Sequence, residues 1–281
     1  MDTEQEDQEK KNLDDNQDFF NQEQTGRVVE IITIVIPYVK KFALGNELKY
    51  AIASWLQFFQ YPVFDIVIIG DGEEEESLKN KEDGQAPITL IAHTCTSDNH
   101  QVDLMEKLKI AIAAEEVADR FVFAADDIYL VSPVTLADVE TLKISGMVNQ
   151  KSYTGTKAEN CKRTAELLNT ASYPCHETHL PVLFEKEKLV QLLEAYPQLN
   201  EGGYFFTSVY FRHFFPDFVP IVLDWNKDIY LLPVHSANPD KEVFGKFMSQ
   251  KKFLTTAKEG FSKWLRHYLA CLYNRKEWMK Q

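Results

Sequence analysis

The first half of the chain is organised by two alternating hydrophobic periods. Residues 28–37, VVEIITIVIP, form a β-branched run almost free of polar interruption, the pattern of a strand covered on both faces and hence of a parallel sheet. After Gly45-Asn46, the apolar residues Leu48, Ile52, Trp55, Leu56 and Phe59 recur at helical spacing, and Pro62 is the expected terminator. A second apolar run over residues 64–69, FDIVII, stops at the turn signal Gly70-Asp71-Gly72. Strand, helix and strand in this order predict a right-handed βαβ unit. A polar surface loop is expected over residues 73–85 and a third strand over residues 88–92. A second helix spans residues 101–118, with Val102, Met105, Leu108 and Ile112 on one face. The strand FVFAA, residues 121–125, then ends at Asp126-Asp127, and ligands of open α/β sheets collect at that carboxyl edge.

The second half is punctuated by Pro133, Pro174, Pro181, Pro197, Pro216, Pro220, Pro233 and Pro239, and predicts an irregular annex that shapes an acceptor site. Helices are expected at residues 185–196 and at residues 256–273, where Thr256-Ala-Lys-Glu259 has capping-box form and Phe261, Trp264, Leu265, Tyr268 and Leu272 make an apolar stripe. Residues 1–26 are rich in Asp, Glu, Gln and Asn and predict a disordered acidic tail, with Phe19-Phe20 its only aromatic groups. The remainder, residues 27–281, predicts a single catalytic domain with a nucleotide-binding half (27–135) and an acceptor-side half with a C-terminal helix (136–281). The fold class is α/β: a mixed, mostly parallel sheet flanked by helices.

Composition narrows the function. A net charge of −13 argues against a nucleic-acid partner, since phosphate backbones are held by clustered Lys and Arg. Cys95, Cys161, Cys175 and Cys271 lack C-x-x-C spacing and predict reduced thiols in a cytoplasmic protein. No run approaches the ~20 apolar residues of a membrane helix, so no transmembrane segment is expected. Walker, Rossmann-glycine and nucleophile-elbow motifs are missing from the sequence, which leaves metal-and-carboxylate chemistry in front.

Adjacent carboxylates after an apolar strand repel each other unless a cation sits beside them, and hard oxygen ligands suit Mg²⁺ or Mn²⁺ together with phosphate oxygens. The same dipeptide also serves as an Asx turn or helix cap. The stretch from Ile31 to Gly72, followed by FVFAADDI, resembles a GT-A-fold glycosyltransferase. Within that group, FAADDIYL at residues 123–130 is similar to the aspartate motif of the Stealth family of capsule-type sugar-phosphate transferases. HETHLPVL at residues 176–183 is similar to that family's later His-Pro element.

The resemblance implies a nucleotide-sugar donor, a glycan or other hydroxyl acceptor, and Mn²⁺ or Mg²⁺. It implies a nucleotide pocket at the end of the first strand, around Pro37, and a base contact from Asp71. Asp127 would ligate the metal directly. Asp126 would bind ribose or sugar hydroxyls or assist through water, and a late histidine, His235, would be a further metal ligand. The motif here is Ala-Asp-Asp where the family pattern is Asp-x-Asp, so position 125 supplies no carboxylate.

His176 and His179, bracketed by Pro174 and Pro181, predict a loop in which His179, or else Glu177, takes a proton from the acceptor. Residues 204–215, YFFTSVYFRHFF, offer stacking faces for a sugar with Arg212 as a phosphate partner, or else a buried element. Lys107 and Lys109 either approach the diphosphate or point to solvent. Sugar-1-phosphate transfer, and a non-catalytic glycan- or protein-binding role, are the alternatives.

Overall fold

A computed structural model describes residues 30–71 and 86–275. The expected tail at residues 1–26 and the loop at 73–85 lie outside the described residues. The central element is a five-stranded sheet built from β1 (Ile32–Tyr38), β3 (Phe64–Gly70), β4 (Ile88–Ala92), β5 (Arg120–Phe123) and β9 (Val182–Glu185), in the order β4-β3-β1-β5-β9. Its first four strands are parallel, and β9 is antiparallel to β5. Every residue of β1 is buried, as the unbroken β-branched run requires of a strand covered on both faces.

The pleat sends alternate residues of β1 to different layers. Ile32, Ile34 and Ile36 pack with Leu48, Ile52 and Trp55 of helix α1 (Glu47–Phe58). Val35, on the opposite face, joins Met105, Leu108 and Ala111 of α2 (His100–Ala113) together with Leu189, Leu192, Val209 and Tyr210. The fold is therefore mixed α/β, with a mostly parallel sheet between helices. The described residues from Ile31 onward form one compact unit.

Helix α1 has a second packing surface. Its Tyr50, Ala51 and Ala53 contact a three-stranded sheet of β6 (Ile128–Leu130), β11 (Leu231–Val234) and β12 (Phe253–Thr256). Two-residue strands β2 (Phe59–Gln60) and β7 (Val134–Thr135) pair with each other, as do β8 (Lys143–Ile144) and β10 (Ile221–Val222). The remaining helices are α3 (Leu136–Glu140), α4 (Gly155–Leu167), α5 (Lys186–Ala195), α6 (Phe206–Phe214), α7 (Lys241–Met248) and α8 (Lys263–Leu272).

Across residue 135 the segments interlock: β9 from the later segment extends the central sheet beside β5, and β12 pairs with β6. Two expectations are corrected. The C-terminal helix does not begin at Thr256, which is the last residue of β12 opposite Val234; it begins after Ser262, whose side chain accepts from the Leu265 N–H. Helix α2 stops at Ala113, short of residue 118. The aromatic run resolves as α6, with Tyr204, Phe205, Phe206, Tyr210 and Phe211 all buried, so its rings build the core.

The sheet also opens at its carboxyl edge. Pairing between β1 and β3 runs to Tyr38 opposite Gly70, whereas pairing between β1 and β5 ends at Val35 opposite Phe123. Pro37, which has no N–H to give a ladder, lies beyond the last β5 contact, where a central strand tolerates it. A Cβ at Gly70 would stand 2.1 Å from the Tyr38 carbonyl oxygen, so this strand end admits only glycine without backbone movement.

Candidate active site

Chain order reverses between β1 and β5: β3 and β4 lie to one side of β1, and β5 lies to the other. That is the topological switch point at which α/β sheets form a ligand crevice. The Ala124 N–H still donates to the Val35 carbonyl at 2.9 Å, and the chain then turns through Asp126-Asp127 into β6. The acidic pair thus occupies the corner where the chain leaves the central sheet for the three-stranded one.

A third carboxylate joins it. Glu47 opens α1 and is only 4% exposed. Burial first, and then the charge of Asp127, push it up to about 7, against a hydrogen bond from the Leu44 backbone. Asp126 is driven well above the usual carboxylate range by burial first, then by Glu47 and Asp127, while Lys107 pulls the other way. Asp127 is raised by burial, with the charge of His179 opposing. Behind them the Tyr129 hydroxyl is buried without a hydrogen-bond partner among the described residues, and burial, Glu47, Asp127 and Asp126 in that order hold its phenol protonated.

This donor set fits a hard divalent cation: Asp127 raises the proton affinity of Asp126 and Glu47, Glu47 raises that of Asp126, and the charges opposing this are those of Lys107 and His179. Among the described residues, however, the only three ligand groups whose donor atoms lie within 4.8 Å of one another are His93, Asp103 and Glu106. A cation at Asp127 would therefore complete its shell with oxygens from a phosphate ligand or water, the usual habit of Mg²⁺ sites.

A scan of protein-family models and a search of curated proteins return no match to the chain.

The other candidates divide sharply. His179 is exposed and adopts φ +60°, a left-handed backbone uncommon for residues other than glycine, although histidine, like asparagine and aspartate, takes it more often than most. His176 lies in the core against Phe211, at 4.8 Å between ring centroids, and burial lowers it to about 4, so it stays neutral. The two histidines therefore do not share a face. Glu177 accepts from the N–H groups of Thr207 and Ser208 in the first turn of α6, which ties it to a helix N-terminus. Burial still outweighs those bonds and raises its carboxyl to about 7.

Arg212 is exposed in the last turn of α6, and no ion pair or hydrogen bond among the described residues joins it to the acidic pair. His235 is likewise exposed just past β11 with no such link. Asp71 lies on the carboxyl edge, its Oδ1 accepting from the Lys40 N–H at 2.8 Å. That bond makes Asp71 a brace between the β1 and β3 exits. Pro37 is buried within β1. Lys107 does not point to solvent: it is fully buried and donates to Asp103 Oδ2 at 2.6 Å. Lys109 instead reaches the Asn200 carbonyl at 3.1 Å.

Glu47 escaped the sequence reading. Its only signal is an acid at the start of the helix that follows the first strand, and nothing local reports that the chain 79 residues later returns to it. Its titration gives a direct test in metal-free protein. The folded state keeps a proton to about pH 7 that the unfolded chain gives up near 4.5, so this group's contribution falls as pH rises through that window. Glu47→Gln keeps the acceptor oxygen for Leu44 and removes the charge. Urea denaturation with a chelator present is expected to find the variant more stable by about 2 kcal/mol at about pH 8, after discounting for solvent screening. The advantage is expected to vanish near pH 4.5; equal stability of the two proteins across the range would refute the buried-charge account.

Proposed function

We propose that the chain is a metal-dependent glycosyltransferase of GT-A type, moving a sugar from a nucleotide-sugar to a hydroxyl acceptor. The observation that carries this reading is the crowding of Asp126, Asp127 and Glu47 at the carboxyl edge of the sheet, beside the switch point between β1 and β5.

In this reading Asp127 would hold Mn²⁺ or Mg²⁺, which when bound would supply charge neutralisation for the departing diphosphate. Asp126, in the more crowded position, hydrogen-bonds sugar or ribose hydroxyls. Glu47 keeps the pocket acidic in the absence of a cation. His179, exposed beside Asp127, takes the proton from the acceptor hydroxyl. The gap between β1 and β5 past Val35 gives the nucleotide a place to enter. No helix among the described residues is long and apolar enough to cross a membrane.

The test is a thermal-shift screen of nucleoside diphosphates and nucleotide-sugars, each with and without Mn²⁺, because a ligand that binds only the folded state raises the melting temperature. A shift requiring both nucleotide and metal is expected. No shift with any nucleoside diphosphate in the presence of metal would sink the proposal. Product analysis then separates the chemistries: glycosyl transfer releases a nucleoside diphosphate, and sugar-phosphate transfer releases a monophosphate.

A further inference from the structure

A second cluster of metal-binding groups lies at the far edge of the sheet. His93 follows β4 directly, its N–H donating to the Gly70 carbonyl at 3.0 Å, so the end of the strand ladder fixes its backbone. Asp103 and Glu106 stand one turn apart on α2, where i and i+3 share a face. Asn99 caps that helix by accepting from the Gln101 N–H, which sets the first turn rigidly against the strand. His93 Nε2 lies 3.7 Å from Asp103 Oδ1 and 3.4 Å from Glu106 Oε2.

These atoms converge without hydrogen-bonding one another. The Asp103 side chain is 6% exposed, yet its Oδ1 has no hydrogen-bond partner among the described residues, and neither does the buried His93 Nε2 facing it. Burying an unpaired carboxylate oxygen and an unpaired ring nitrogen costs free energy on both sides. The neighbouring polar groups surround the cluster. Asp103 Oδ2 accepts from Lys107 Nζ, Thr96 Oγ1 donates to the Glu106 carboxylate at 3.0 Å, and the Cys95 thiol, which donates to the Ser97 carbonyl at 3.1 Å, also faces the Asp103 carboxylate.

We propose that His93, Asp103 and Glu106 form a binding site for Zn²⁺, clamping the edge strand β4 to helix α2. Zinc bonds of about 2.0–2.1 Å place neighbouring tetrahedral ligands roughly 3.4 Å apart, close to the separations already present. An imidazole nitrogen with two carboxylates suits a first-row transition ion better than Mg²⁺ or Ca²⁺, which prefer all-oxygen shells. Lys107 and Thr96 are the outer partners that orient the two carboxylates. Glu106, the most exposed ligand at 32%, faces the way in and leaves the fourth position to water. This site shares no ligand with the acidic pair at the switch point, although the charge of Lys107, which holds Asp103, also acts on Asp126.

The test uses the full chain stripped with a chelator and titrated with Zn²⁺ against a chromophoric competitor, alongside Mg²⁺. One equivalent of Zn²⁺ is expected to bind and to raise the melting temperature. Affinity is expected to fall at least about tenfold in Glu106→Gln and in His93→Gln, and to be unchanged in Asp127→Asn. Glu106→Gln removes a partly exposed charge and keeps the shape, so it decides the matter even where His93→Gln fails to fold. Co²⁺ added to the wild-type chain is expected to give a tetrahedral visible spectrum that Glu106→Gln loses. Absence of stoichiometric Zn²⁺ binding, unchanged affinity in Glu106→Gln, or loss of binding in Asp127→Asn would each overturn the assignment.

Discussion

Asp127→Asn is expected to abolish metal-dependent binding of nucleoside diphosphates and to lower sugar transfer by about 10³-fold, the scale on which removing a key electrostatic partner of a leaving group is felt. The substitution keeps the side chain's size and removes one full negative charge, so the loss would report charge and not shape. A second effect has the opposite sign. In metal-free protein Asp127 raises the proton affinity of both Asp126 and Glu47, so its neutralisation relieves repulsion among buried acids. The variant is therefore expected to unfold at higher urea than wild type at neutral pH while binding less ligand. A structural Asx turn or cap at this position would give the reverse pairing, lower stability with intact binding. Calorimetry with Mn²⁺ and a nucleoside diphosphate, beside urea denaturation, distinguishes the two. Asp126→Asn supplies the internal comparison: binding that is more sensitive to Asp126 than to Asp127 would exchange the roles assigned to them.

Much of the scaffold around that corner was legible from hydrophobic period alone. The runs that became β1 and β3 are buried on both faces, and only parallel central strands combine that burial with such short length. Helix α1 was equally plain, because Leu48, Ile52 and Trp55 face one layer. What pattern could not show was partnership across distance. Thr256-Ala-Lys-Glu259 satisfies the capping-box rule locally, yet Thr256 is claimed by Val234 in a parallel ladder, and a Cβ at Gly260 would lie 1.9 Å from the Val234 carbonyl oxygen. Tertiary pairing overrode a local signal.

The same limit applies to the sites. Asp126-Asp127 was visible because both acids sit at one strand end. Glu47, and the His93, Asp103 and Glu106 group, become neighbours only once β1 lies beside β5 and β4 beside α2. Glu177 shows the same limit: an acid next to two histidines suggests acceptor chemistry, and nothing local reports that its carboxylate also accepts at the start of a helix 30 residues further on.

His179→Asn is the substitution that best isolates chemistry from folding. The residue occupies the left-handed region at φ +60°, and among the described residues the other two non-glycine residues found there are Asn169 and Asn274. Asparagine tolerates that backbone, so the loop is expected to keep its shape and the protein its stability, measured as an unchanged urea midpoint. The imidazole is exposed, so little packing is lost. If His179 accepts the acceptor proton, kcat falls by about 10²–10⁴-fold while nucleotide binding with Mn²⁺ stays near wild type. If its ring instead ligates the cation beside Asp127, metal affinity falls first and kcat recovers at saturating Mn²⁺. The contrast with His176 sharpens the test. That ring is buried and held neutral against Phe211, so its removal is expected to lower stability through lost packing without the kcat-specific signature. Equal kinetic losses in both variants would mean that the segment acts through its fold, and the proton-acceptor role would then have to move from His179 to another group lining the switch-point crevice.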